Sequence, residues 1–169
     1  MNKGDGQMNK GDGQMNKGDG QMNTIMNFHD APYQVFSNFH PCPVTYEGIL
    51  FPSVETAFQA AKTLDMTERK KIAGMYPGAA KKYGRTLTLR PDWEQVKQTV
   101  MLDLLKQKFA PGTQNAAILL ATGDALIEEG NWWHDNYWGI CRCNRCRDKI
   151  HENHLGRLLM QLRQELKEV

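Results

Sequence analysis

The sequence predicts an α+β domain, predominantly helical, with a small β-hairpin or short sheet. Apolar residues recur at helical spacing from Trp93 to Phe109 and again from Leu155 to Leu166. Val44 to Phe51 reads as two short strands around Glu47-Gly48, a pair suited to a tight hairpin turn. Between these lie short helical stretches broken at Tyr76-Pro77-Gly78 and at Pro111-Gly112. The 169 residues suit one domain with a real core.

The chain divides at its start. Residues 1–21 are Met-Asn-Lys-Gly-Asp-Gly-Gln three times over. That composition offers too little apolar surface to offset ordering, so 1–22 is expected to be a disordered tail and 23–169 the domain. Ile25 to Phe28 is a plausible first strand, and Phe36-Ser37-Asn38-Phe39 reads as a turn pinned by rings or as an amide, Asn38, presented to a ligand. After the hairpin, Pro52-Ser53 opens a helix, with Ser53 as its cap. Val54, Ala57, Phe58 and Ala61 form its core stripe.

Leu64 to Arg85 reads as two short helices and is the most basic part of the chain. Pro91 and Asp92 then open the longest helix. Asn115 to Thr122 is a further short helix, and Ala125 to Glu129 a strand with carboxylates near its end. Asn153 is placed to cap the last helix, in which Gly156 permits close approach.

Composition narrows the function. The net charge is +2 with both signs interspersed, so no broad nucleic-acid surface is announced. No apolar run approaches membrane-spanning length, and no signal-peptide stretch begins the chain; the expectation is a cytoplasmic protein. Three of the four cysteines crowd together, unlike a secreted disulfide framework.

Four groups of residues carry chemistry. Glu55, Gln59 and Lys62 share one stripe of the Ser53 helix, which is either a solvated face or a catalytic one. Lys82 and Arg85, flanking Gly84, are either a solvated face or a phosphate contact. Gly130 to Gly139 packs Trp132, Trp133, Tyr137 and Trp138 beside His134, Asp135 and Asn136, a composition suited to a ring-shaped ligand. Trp93 is a core anchor or a wall for a heterocycle. Finally, Cys141, Cys143 and Cys146 with His151 or His154 could complete a tetrahedral zinc site, or be reduced loop thiols.

In this order, the motifs resemble the NADAR superfamily of YbiA-like proteins. The matching stretches are Phe36-Ser37-Asn38-Phe39, the Pro52 to Lys62 helix, Lys82-x-Gly84-Arg85 and Asp92-Trp93-Glu94. They continue through Met101, Lys108-Phe109, Ala121-Thr122-Gly123, Glu128, Asp135-x-x-Trp138-Gly139 and Asn153-x-Leu155-Gly156. The resemblance implies a compact, mainly helical domain and an N-glycosidase that cuts a ribose C1–N bond. One branch acts on phosphoribosylated pyrimidine intermediates of riboflavin synthesis and another on ADP-ribosylated guanine in nucleic acid.

It makes Glu55 and Lys62 the catalytic pair. Asn38, Gln59, Lys82, Arg85, Trp93, Asp135, Trp138 and Gly139 become substrate-binding. No cofactor is required; a structural zinc on Cys141, Cys143, Cys146 and His151 remains open. The expected partner is a ribosyl nucleotide or ADP-ribosylated nucleic acid, with no membrane. Thr56 departs from the ring often found after the family's glutamate. Rival readings are a pocket that binds ADP-ribose or NAD without cleaving it, and a zinc-stabilised interaction protein.

Overall fold

A computed structural model describes residues 23–168. The expected tail at 1–22 lies outside the described residues. Among the described residues there are six α-helices and three short strand pairs, which contribute Ile25, Val44, Phe51 and Ile127 to the core. The central element is α1 (Val54–Ala61), where every residue is buried. It packs against α2 (Met66–Ala73), α3 (Pro77–Gly84) and α4 (Trp93–Lys108). Ser53 caps it by accepting from the Thr56 amide, and the Ser53 and Thr56 hydroxyls lie 2.8 Å apart. The Thr56 hydroxyl thus adds to the cap of its own helix.

The hairpin β1 (Val44–Tyr46) and β2 (Ile49–Phe51) delivers the chain into α1. Val44 faces Phe51 and Tyr46 faces Ile49, so Glu47 and Gly48 form a two-residue loop. Both have positive φ, 44° and 79°, as a turn of this hand requires. The buried Arg69 guanidinium ties that turn down by pairing with Glu47 and donating to the Thr63 carbonyl at 2.8 Å.

Helix α4 buries Trp93, Val100, Met101, Leu104, Leu105 and Lys108, nearly the stripe the sequence predicts. Helix α5 (Gln114–Ala121) and helix α6 (His154–Lys167) pack together. The remaining strands are two-residue pieces. Thr24–Ile25 (β3) pairs in parallel with Leu126–Ile127 (β4), and Gly130–Asn131 (β5) in parallel with Ile140–Cys141 (β6). The strand predicted over 125–129 is thus present but shorter, and the one predicted over 25–28 overlaps the observed strand only at Ile25.

Asn153 sits where a cap belongs but does not cap α6. With φ of 50° it turns its amide away, donating to the Ile127 carbonyl at 2.9 Å and accepting from the Glu129 amide at 3.1 Å. Gly156 lets α6 meet the same strand, since a Cβ there would lie 2.1 Å from the Ile127 oxygen. These contacts dock α6 onto the end of β4 and the backbone of Glu129 just beyond it.

Candidate active site

Two adjoining cavities, of about 360 and 210 Å³, form one cleft. Asn38, Glu55, Lys81, Glu129 and Leu155 line both. The inner part adds Phe58, Gln59, Lys62, Met101, Asp135 and Trp138. The outer part adds mainly rings, among them Phe28, Phe39 and Trp133. The cleft therefore joins a polar, charged part to a part walled by rings, of which Phe39 and Trp133 are exposed, a distribution suited to a polar group joined to a flat ring.

The stripe of α1 supplies the floor. Glu55 is 6% exposed and accepts from Gln59 Nε2 at 2.8 Å, so the solvated reading of this face is excluded for both. Burial raises the Glu55 pKa, opposed by the Gln59 hydrogen bond and by the charges of Lys81 and Lys62. Lys62 lies two turns on, at the C-terminal end of α1. Burial lowers its pKa, and the Glu55 carboxylate works against that. The acid and the amine thus face the same cleft, each displaced toward its neutral form by desolvation.

Gln59 is held by the α1–α3 contact. A Cβ at Gly84 would lie 1.9 Å from Gln59 Oε1, so only glycine lets α3 come this close. The turn at 36–39 is equally fixed. The Asn38 carbonyl accepts from the Glu55 amide at 3.0 Å, and the Ser37 carbonyl accepts from the buried Lys108 Nζ at 2.7 Å. Asn38 Oδ1 is buried beside the cleft without a partner among the described residues.

The loop from β5 to β6 supplies the opposite wall. Asn131 holds its base by donating to the Asp135 carbonyl at 2.7 Å and accepting from the Asp135 amide at 3.2 Å. Asp135 Oδ1 accepts from the amides of Tyr137 and Trp138, so the carboxylate organises the loop as well as lining the cleft. The Trp138 ring stands edge-on to Phe58, with centroids 5.3 Å apart.

Some assignments shift. Trp93 is buried behind Phe58, 5.0 Å between centroids, and lines neither cavity. Lys82 and Arg85 are exposed and line neither cavity, although Arg85 is close enough to lower the Lys62 pKa. One residue earlier, Lys81 turns into the cleft, its Nζ 5.5 Å from the Phe39 ring centre and 5.6 Å from that of Trp133. Adjacent helical positions differ by about 100° in direction, and the sequence carries no signal for choosing between two lysines.

Glu129 is the second residue the sequence reading passes over. Its neighbour Glu128, part of the resemblance, pairs instead with Arg142 at 2.5 Å. Burial and the nearby charges of Asp135 and Glu55 raise the Glu129 pKa to about 8, with Lys81 opposing. Glu129 Oε2 lies against Gly139, where a Cβ would approach to 2.1 Å. Gly139 therefore makes room for this carboxyl and does not itself line the cleft.

The cysteine cluster also needs a correction. Cys141, Cys143 and Cys146 are free thiols gathered around His134 Nδ1, and these four ligand atoms lie within 4.8 Å of one another. His151 is not the fourth member. Its Nε2 lies 2.8 Å from the Cys146 carbonyl oxygen, a contact that turns the ring to the backbone. The group of His134 and three cysteines could hold a metal ion.

Comparison with known proteins gives concordant relatives. The NADAR domain matches residues 26–167. N-glycosidase YbiA of Escherichia coli (strain K12) is 38% identical over 151 residues, spanning 85% of this chain and 89% of that protein. N-glycosidase Npun_R5314 of Nostoc punctiforme is 35% identical over 142 residues, 80% of this chain and 87% of that one. Riboflavin biosynthesis protein VVA0006 of Vibrio vulnificus is 33% identical over 144 residues, 82% of this chain but 37% of that longer protein. The NMR structure of Escherichia coli YbiA superposes with a TM-score of 0.73 at 37% identity, covering 87% of each chain. Among the described residues, no helix is long and apolar enough to cross a membrane.

Proposed function

Since the chain belongs to the NADAR domain family, we propose that it is an N-glycosidase hydrolysing the C1–N bond between a ribose and a nitrogenous base or amine. The observation that carries this reading is the meeting of Glu55 and Lys62, from one helix, with Asp135 and Glu129, from the opposite wall, in a single cleft.

Cleavage builds positive charge at C1 and the ring oxygen. Glu55 in its ionised form, which the Gln59 hydrogen bond and the charges of Lys81 and Lys62 favour against burial, stabilises that charge and takes a proton from the attacking water. The leaving nitrogen gains electron density and needs a proton. Glu129, still protonated at neutral pH, is the suited donor. Water's oxygen bonds to C1 as the C1–N pair leaves with the nitrogen. Asp135 lies within the same inner chamber and is suited to ribose hydroxyls. Lys81 is the cation best placed for phosphate at the mouth.

A second reading is favoured by the lowered Lys62 pKa: the neutral amine attacks C1 as the C1–N electron pair leaves with the base nitrogen, which takes a proton. Loss of the amine protons and opening of the C1–O ring bond, with the ring oxygen protonated, give an imine that water then hydrolyses. Borohydride trapping separates the routes, since only the imine leaves a sugar fixed to Lys62.

The first substrate to test is a phosphoribosylated aminopyrimidine, the class suggested by the riboflavin-biosynthesis name of the Vibrio relative. ADP-ribosylated guanine in nucleic acid is the second. From the first, wild type is expected to release the aminopyrimidine with equimolar ribose phosphate; from the second, free ADP-ribose, with guanine left in the nucleic acid. If both Glu55→Gln and Lys62→Ala keep wild-type turnover, the proposal fails. A non-cleaving ADP-ribose-binding module predicts tight calorimetric binding with no base released.

A further inference from the structure

We propose that His134, Cys141, Cys143 and Cys146 bind one zinc ion, and that this ion clamps the loop carrying Asp135 and Trp138 against the cleft. A tetrahedral zinc with the usual bond lengths separates nitrogen from sulfur by about 3.6 Å. His134 Nδ1 stands 3.2 Å from Cys143 Sγ, 3.4 Å from Cys146 Sγ and 4.0 Å from Cys141 Sγ, values that straddle that edge. Three soft thiolates and an imidazole favour zinc over hard cations such as magnesium or calcium.

The surroundings are built for it. His134 has φ of 69°, a left-handed conformation that costs a non-glycine residue, and that backbone carries the ring bearing Nδ1 into the sulfurs. Asn136 donates to Cys146 Sγ at 3.4 Å and accepts from the Cys141 amide at 3.4 Å. That is the outer hydrogen bonding that orients metal thiolates.

The consequence follows from chain order. One ligand, His134, precedes Asp135; the next, Cys141, follows Gly139 and Ile140. Metal closes this short loop covalently at both ends and lowers the entropy cost of holding Asp135 and Trp138 in place. The inference concerns the fold of the loop and stands independently of the reaction assigned to the cleft.

The test uses the full chain purified under reducing conditions without chelator. Elemental analysis should find one zinc per chain, unchanged in Cys42→Ser and His151→Ala and lost in Cys143→Ser and His134→Ala. Cobalt(II) exchanged into wild type should show the ligand-field and sulfur-to-metal charge-transfer bands of a tetrahedral thiolate site. This readout does not depend on the variants folding. On chelation, amide exchange at 135–140 should quicken by about tenfold or more while α1 is unchanged. The proposal is overturned if wild type takes up neither zinc nor cobalt, if its cysteines are isolated as a disulfide, if His151→Ala and not His134→Ala releases the metal, or if chelation leaves exchange at 135–140 unaltered.

Discussion

The two walls of the cleft are built by different means. The α1 wall is a buried helix whose functional groups inherit their spacing from helical geometry and their rigidity from three packed neighbours. The opposite wall is a loop between two-residue strands, held by side-chain hydrogen bonds from Asn131, Asp135 and Asn136 and by the His134–cysteine cluster. A helix positions Glu55 and Lys62 through repeated backbone hydrogen bonds. The loop positions Asp135 and Trp138 one contact at a time. Damage to the α1 wall should therefore remove chemistry, and damage to the loop that carries Asp135 and Trp138 should weaken binding; Glu129, which precedes that loop, belongs with the chemistry.

The largest effect is expected from Glu55→Gln, which keeps shape and removes charge. Turnover should fall on the order of a hundredfold or more with the unfolding midpoint little changed. Equal turnover would move the chemistry off α1. Gly84→Ala comes next: its Cβ must displace the buried Gln59 amide that supports Glu55. A destabilisation of about 1–3 kcal/mol is expected by denaturant titration, together with reduced turnover.

Glu129 sharpens the comparison through pH. Its folded pKa of about 8 lies above the ordinary carboxylate value, so the folded state holds a proton that the unfolded state has lost. The stability this confers is complete below about 4.5 and drains away as pH rises to about 8. Lys108, whose pKa burial lowers to about 8, changes stability only above that value and does not confuse the window. Glu129→Gln should compare better with wild type at pH 8 than at pH 5 in unfolding midpoint. It should also lose the alkaline limb of the kcat profile if Glu129 is the acid. The smallest effect is expected at the mouth. Trp133→Ala should raise KM several-fold and leave kcat nearly unchanged, because an exposed ring lends stacking and no proton transfer.

Legibility follows the same division. Periodicity located α1, α4 and α6, the hairpin dipeptide located β1 and β2, and the shared stripe of Glu55, Gln59 and Lys62 was visible before any coordinates. Within one helix, sequence spacing is spatial spacing. The reading slipped where two neighbours compete for one direction, as with Lys81 against Lys82 and Glu129 against Glu128. Of the two readings of Trp93, the structure favours the core anchor over the ligand wall, because the ring packs behind Phe58.

By itself the sequence determined the helical character of the domain, the Ser53 cap, the Glu47-Gly48 turn, and the acid and amine presented by one helix. These rest on local interactions, whose range is a few residues. Only the tertiary structure decided that this helix is wholly buried, that Glu129 and Lys81 join the cleft, and that His134 rather than His151 meets the cysteines. Those outcomes depend on the direction of irregular backbone, including positive φ at His134 and Asn153, and on contacts between elements distant in the chain. No local propensity encodes them.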